Sequence, residues 1–184
     1  MRPILFYMIG LPGAGKTTFA QRLSTLLEGE HLRGDQIGLE LFRFPTYSLA
    51  ERRMVQEEMC RRAIAALQKG RHTFYDAATN THAQRQEVRD LAAAHGATAI
   101  GLWIETPIPL AKKRAATARD SGIVGQVVRI IPPHVFDQYA QMFESPQTHE
   151  TIIRLSGDAP FYLQYRRLRR QLGPHVTVNL PNLV

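Results

Sequence analysis

Residues 10–17 read Gly10-Leu11-Pro12-Gly13-Ala14-Gly15-Lys16-Thr17, and this octet constrains the fold more than any other stretch of the chain. Its pattern, G-x-x-x-x-G-K-[ST], is that of a phosphate-binding P-loop. Glycines let the backbone wrap with its N–H groups turned inward, making a nest for anions. A lysine at position 16 can reach the β- and γ-phosphates, and the Thr17 hydroxyl offers a ligand to Mg²⁺. A chance match in a chain of this length is expected on the order of once in a few hundred sequences. The flanks lower that figure. Ile4 to Ile9 is an unbroken apolar run of buried-strand type. From Thr18 onward Phe19, Leu23, Leu26 and Leu27 fall on one face of a helix. Strand, loop, helix is the order a P-loop requires, so residues 10–18 are assigned to a nucleoside triphosphate, with ATP and Mg²⁺ as the expected cofactors.

The 184 residues suffice for one good core, and a single domain over 1–184 is expected. One cysteine, Cys60, allows no internal disulfide, which fits a reducing compartment. No stretch approaches the roughly 20 apolar residues of a membrane span. A cytoplasmic protein without a membrane partner is therefore expected. The net charge of +7 invites a nucleic-acid partner. Most of the excess, however, lies in the pairs Arg52-Arg53, Arg61-Arg62, Arg166-Arg167 and Arg169-Arg170. Adjacent helical residues point about 100° apart, so such pairs more often mark solvated faces than a polynucleotide track.

Strand and helix signals alternate along the chain, which predicts an α/β fold: a P-loop NTPase with a mostly parallel, five-stranded sheet flanked by helices. A second strand over His31 to Arg33 ends at Gly34-Asp35. Ser48 and Thr81 each open a capping-box sequence, so helices are expected to start there. A third strand ends at Asp76 and a fourth runs from Thr98 to Ile104. A basic helix from about Ile108 to Arg119 leads into a glycine-containing stretch, so a helical lid is expected near 114–130. Pro132-Pro133 precede a further helix, Thr151 to Leu155 is the last strand, and Phe161 to Leu172 the last helix. Residues 173–184 are left unplaced.

Sheets of this kind put their sites at the carboxyl ends of the strands. Asp35 and Asp76 both stand there. A carboxylate beside a γ-phosphate can orient and deprotonate an acceptor hydroxyl, or hold Mg²⁺ through water. Helix capping or a turn would explain each acid singly; two at matching strand ends beside a P-loop favour chemistry. Lys112, Lys113, Arg114 and Arg119 could bring positive charge over a transferring phosphoryl group.

The series Gly10 to Thr17, Arg33-Gly-Asp35 and Tyr75-Asp-Ala-Ala-Thr-Asn80 resembles the small P-loop kinases related to the polynucleotide 5′-hydroxyl kinase domain. This is the branch that includes zeta-toxin-like and chloramphenicol-phosphotransferase-like enzymes. Arg85, Gly96, Trp103-Ile-Glu-Thr-Pro107, Arg114, Arg119 and Pro132 to Pro146 follow in the same order, so the likeness spans about residues 3–155. It implies that Asp35 is the general base and that Lys16 and Thr17 keep their P-loop roles. Asp76, Thr79 and Asn80 would line the acceptor side. Arg114 and Arg119 would contact phosphate and adenine, and the loop Gly157-Asp158-Ala159 would clamp the base.

Some positions depart from that pattern. Gly38 stands where polynucleotide-directed members carry arginine, and the Asp76-to-Asn80 spacing is one residue longer than usual. Arg114 and Arg119 are five apart and cannot share one face of a regular helix. The expected activity is ATP-dependent transfer of the γ-phosphoryl group to a hydroxyl, on a small molecule or a nucleic-acid 5′-end. The competing expectation is a nucleotide-dependent switch or binding ATPase with a protein or RNA partner. The acceptor and the oligomeric state are not legible in the sequence.

Overall fold

The apolar run Ile4–Ile9 forms β1, and all six of its residues are buried. In this computed structural model, residues 2–46, 48–77, 79–117 and 130–172 are described. β2 (Glu30–Arg33), β3 (Thr73–Asp76), β4 (Thr98–Glu105) and β5 (Ile152–Ser156) join β1 in a five-stranded sheet. The order is β2-β3-β1-β4-β5, and every pairing is parallel. Parallel neighbours need crossover connections. These run through α1 (Lys16–Leu26), α2 (Gly34–Leu41), α3 (Leu49–Gln68), α4 (His82–Ala94), α5 (Ile108–Ala115) and α6 (Pro133–Gln141), and α7 (Phe161–Leu172) follows the last strand.

Side chains alternate across a strand, so β1 feeds two cores. Ile4, Phe6 and Met8 pack with Phe19, Leu23, Leu168 and Leu172 of α1 and α7. Leu5, Tyr7 and Ile9 pack with Met59, Ala63, Val88 and Ala92 of α3 and α4. Phe6 is in register with Phe74, and the rings stack at 4.9 Å. A sheet covered on both faces explains the unbroken apolar run of its central strand.

The element boundaries follow the local chemistry. Thr81 and Gln84 form both bonds of a capping box at the start of α4. At α3 the Ser48 hydroxyl accepts from Glu51 N–H, while the Glu51 carboxylate accepts from Thr46 N–H. One boundary corrects the sequence expectation: α5 stops at Ala115, not near Arg119. The Lys112 carbonyl accepts from Ala116 N–H and the Arg114 carbonyl from Thr117 N–H, while the Ala115 carbonyl accepts from Ile131 N–H at 2.8 Å. Ala111 and Ala115 of α5, Phe136 of α6 and Leu11 of the loop then pack as a third, small cluster. Arg119, most of the expected lid and residues 173–184 lie outside the described residues.

Behind β1, α4 carries a buried charge network. Arg85 Nε and Nη2 donate to Glu150 at 2.7 and 3.1 Å, and Arg89 Nη1 donates to the same carboxylate at 2.6 Å. Burial works to raise the Glu150 pKa, but the Arg85 bonds and charge and the Gln147 N–H hold it down at about 2. Its ordinary value is 4.5. The stabilisation is therefore full above pH 4.5 and is lost as pH falls toward 2. Glu150→Gln is expected to cost about 3 kcal/mol at pH 7. Thermal melts of the two proteins across this range provide the check: their gap in stability must close with acid.

Candidate functional site

The loop between β1 and α1 is shaped by its glycines. Gly10 has φ +142° and Gly13 φ +75°, a region that side chains avoid. A Cβ on Gly10 would stand 2.7 Å from the Ile104 carbonyl oxygen, and one on Gly13 would stand 2.8 Å from Ala115 N. The loop thus sits directly on the end of β4 and on α5. Three polar contacts fix it further. Gly10 N–H donates to Asn80 Oδ1 at 3.0 Å, the Thr79 hydroxyl donates to the Met8 carbonyl at 2.6 Å, and the Thr106 hydroxyl donates to the Ala14 carbonyl at 2.9 Å. α1 starts at Lys16 without a side-chain cap, and its first i→i−4 bond is made by Phe19 N–H. The preceding N–H groups, of Lys16, Thr17 and Thr18, are those a helix offers to an anion. Ala14 N–H donates to the Leu11 carbonyl at 3.1 Å, which closes a turn across Pro12 and Gly13.

Lys16 Nζ donates to the loop's own carbonyls, Gly10 at 2.7 Å and Leu11 at 3.0 Å. Burial lowers its pKa, and the charge of Asp76 works against that shift. The ammonium is thus held at the loop by weak neutral acceptors, the arrangement from which a phosphate can draw it.

Both acids predicted from the strand ends are brought to this edge of the sheet. Asp76 closes β3, and its carboxylate is held by His31 of β2, with Nε2 at 3.1 Å from Oδ2. The other ring nitrogen of His31 lies 3.1 Å from the Gln21 amide oxygen on α1. Asp35 stands in the first turn of α2, whose N-cap is Arg33, so it is not itself the cap. One of its oxygens accepts from Arg33 Nη2 at 3.0 Å and the other from Gln36 N–H at 2.8 Å. Its side chain is 43% exposed, whereas that of Asp76 is 5% exposed. Of the two acids, Asp35 is the one open to an incoming molecule.

Other expected site residues fall elsewhere. Thr79 and Asn80 are buried, and their side chains hold the β1 backbone and the loop. They stand behind the P-loop rather than on an open acceptor face. Arg114 sits on the last turn of α5, and its Nη1 donates to the Gly157 carbonyl at 2.9 Å. It therefore joins the loop after β5, on the opposite side of the P-loop from Asp35, while Arg119 lies outside the described residues. Sequence reasoning missed the partners of the two acids. His31 and Arg33 alternate along β2 and so share a face, and that period-two signal was available. It also missed Thr106 as a brace of the loop. Among the described residues no group of three or more His, Cys, Asp or Glu clusters as a metal cage. A Mg²⁺ that arrives on phosphates needs only one or two protein ligands and no such cage.

The model of an AAA domain family matches residues 5–146, so the chain belongs to that family. No curated protein matches it. The fold resembles that of a sugar kinase from Janibacter sp. HTCC2649, at TM-score 0.68 and 16% identity over 93% of this chain and 95% of that one. A gluconokinase from Sinorhizobium meliloti 1021 gives TM-score 0.66 and 14% identity over 94% and 93%. The APS kinase CysC of Mycobacterium tuberculosis, in complex with AMPPNP and APS, gives 0.63 and 21% over 94% and 98%. These likenesses establish a P-loop kinase fold. Among the described residues, no helix is long and apolar enough to cross a membrane.

Proposed function

We propose that this member of the AAA domain family transfers the γ-phosphoryl group of ATP to a hydroxyl acceptor. The observation that carries the proposal is the pair Asp35 and Asp76 at adjacent strand ends beside the P-loop, each held by a β2 side chain. In this reading the loop N–H groups and Lys16 cradle the β- and γ-phosphates, and Lys16 follows the charge as it develops on the γ-oxygens. Asp35, exposed and oriented by Arg33, takes the proton from the acceptor hydroxyl. Asp76, nearly buried and held by His31, stands at the neighbouring strand end. Arg114, fixed on Gly157, marks the adenine side, and Arg119 is the proposed lid arginine. Mg²⁺, held from the protein by Thr17, supplies charge neutralisation between the phosphates. Thr79 and Asn80 act by holding the loop.

The names of the similar folds, sugar kinase, gluconokinase and APS kinase, favour a small-molecule acceptor. The finer likeness to polynucleotide 5′-hydroxyl kinases rests on the Asp76 to Asn80 segment and the lid segment, and Gly38 weighs against it. The test is incubation with γ-labelled ATP and a panel of nucleosides, oligonucleotides, sugars and aminocyclitols. Transfer to one class is expected, and label passing only to water would favour a nucleotide switch. A polynucleotide acceptor would bind more weakly as salt rises, through counterion release. A neutral acceptor would not.

A further inference from the structure

We propose that His31 is a positioning residue that keeps the Asp76 carboxylate off Lys16, so that the P-loop lysine stays available to a triphosphate. The inference rests on the nucleotide site proposed above and adds a residue that the P-loop pattern does not contain. The ring of His31 spans two elements of the site. One nitrogen meets Asp76 on β3 and the other meets Gln21 on α1, the helix that follows the P-loop. Both His31 and Asp76 are nearly inaccessible, with side chains 8% and 5% exposed. A buried carboxylate needs a donor or a cation. Among the described residues, His31 is the one ion-pair partner recorded for Asp76.

A second cation is close at hand. Asp76 ends β3, the strand paired with β1 that leads into the P-loop, and its charge works at Lys16 against the larger effect of burial; yet Lys16 bonds to the Gly10 and Leu11 carbonyls and not to the carboxylate. Arg33, on the same face of β2, already holds Asp35. Without the His31 donor, Asp76 would turn to Lys16, and an ion pair there would compete with the phosphates for the ammonium.

The test is a fluorescence titration with N-methylanthraniloyl-ATP, with melting curves recorded for every variant. His31→Leu removes the donor and is expected to weaken binding about tenfold. His31→Gln, which can present an amide N–H near the position of Nε2, is expected to restore most of the affinity. In an Asp76→Asn background the same His31→Leu change is expected to have less than about a twofold effect, because the competing charge is gone. A merely structural role for His31 would leave its loss as harmful in that background, and this outcome overturns the proposal. Unchanged affinity in His31→Leu overturns it too. Should His31→Leu fail to fold, His31→Asn, whose shorter amide stops before Asp76, is read in the same way. Absence of probe binding to the wild-type protein overturns the nucleotide site itself, which separates that failure from failure of the His31 role.

Discussion

Replacing Lys16 with alanine is expected to reduce turnover of γ-labelled ATP by roughly 10²- to 10³-fold, the range seen when one preorganised donor is removed from a developing charge. The fold should survive. In the unliganded loop Lys16 contacts two neutral carbonyls, and its burial disfavours the charged form, so the ammonium contributes little to folding. Melting without nucleotide should therefore stay close to wild type. What disappears is the stabilisation by ATP. A ligand at a hundred times its Kd raises stability by about 2.7 kcal/mol, and that rise should be small or absent in Lys16→Ala. The pairing of an unchanged basal melt with a lost ligand response separates a broken site from a broken fold. A variant that still gains the full stabilisation would remove Lys16 from the phosphate site.

What the sequence made legible was local. The P-loop glycines, the buried run of β1 and the Thr81 capping box each depend on neighbours a few residues away, and each stands where its pattern placed it. The end of α5 was less legible, because it depends on packing. Gly13 presses against Ala111 and Ala115, and Ile131 bonds back to Ala115, both contacts from outside the helix. The buried pair Arg85 and Glu150 lies 65 residues apart in sequence, and no local pattern announces such a partner. The site divides in the same way. Asp35 and Asp76 could be found from strand ends alone. Arg33, the holder of Asp35, is two residues away in sequence, but His31 as the holder of Asp76 required the register of β2 on β3, which sets Arg33 opposite Asp76 and brings His31 within reach of it. Thr79 and Asn80 were expected on the acceptor side through the family resemblance, which rests on motif order. Their placement against Met8 and Gly10 follows from strand pairing, which motif order does not carry.

Asp35→Asn is the other change with a large expected effect, and its interest lies in what it spares. The amide keeps the size of the carboxylate and retains one oxygen, so a partner for Arg33 or for Gln36 N–H remains. What it cannot do is accept a proton from the acceptor. General-base contributions are typically 10²- to 10⁴-fold, so transfer to the acceptor identified in the panel should fall by about that factor. Binding of the nucleotide analogue should change less than about twofold, because Asp35 stands at the start of α2 and outside the loop that holds the phosphates. Asp35→Ala makes a sharper control. It also removes the acceptor of the Arg33 Nη2 bond, so it should lose transfer and some stability together. If Asp35→Asn instead retains full transfer, the base is elsewhere, and Asp76 becomes the next candidate. Its carboxylate, turned from Lys16 by His31, would then be the group that meets the hydroxyl, and Asp76→Asn should show the loss that Asp35→Asn did not.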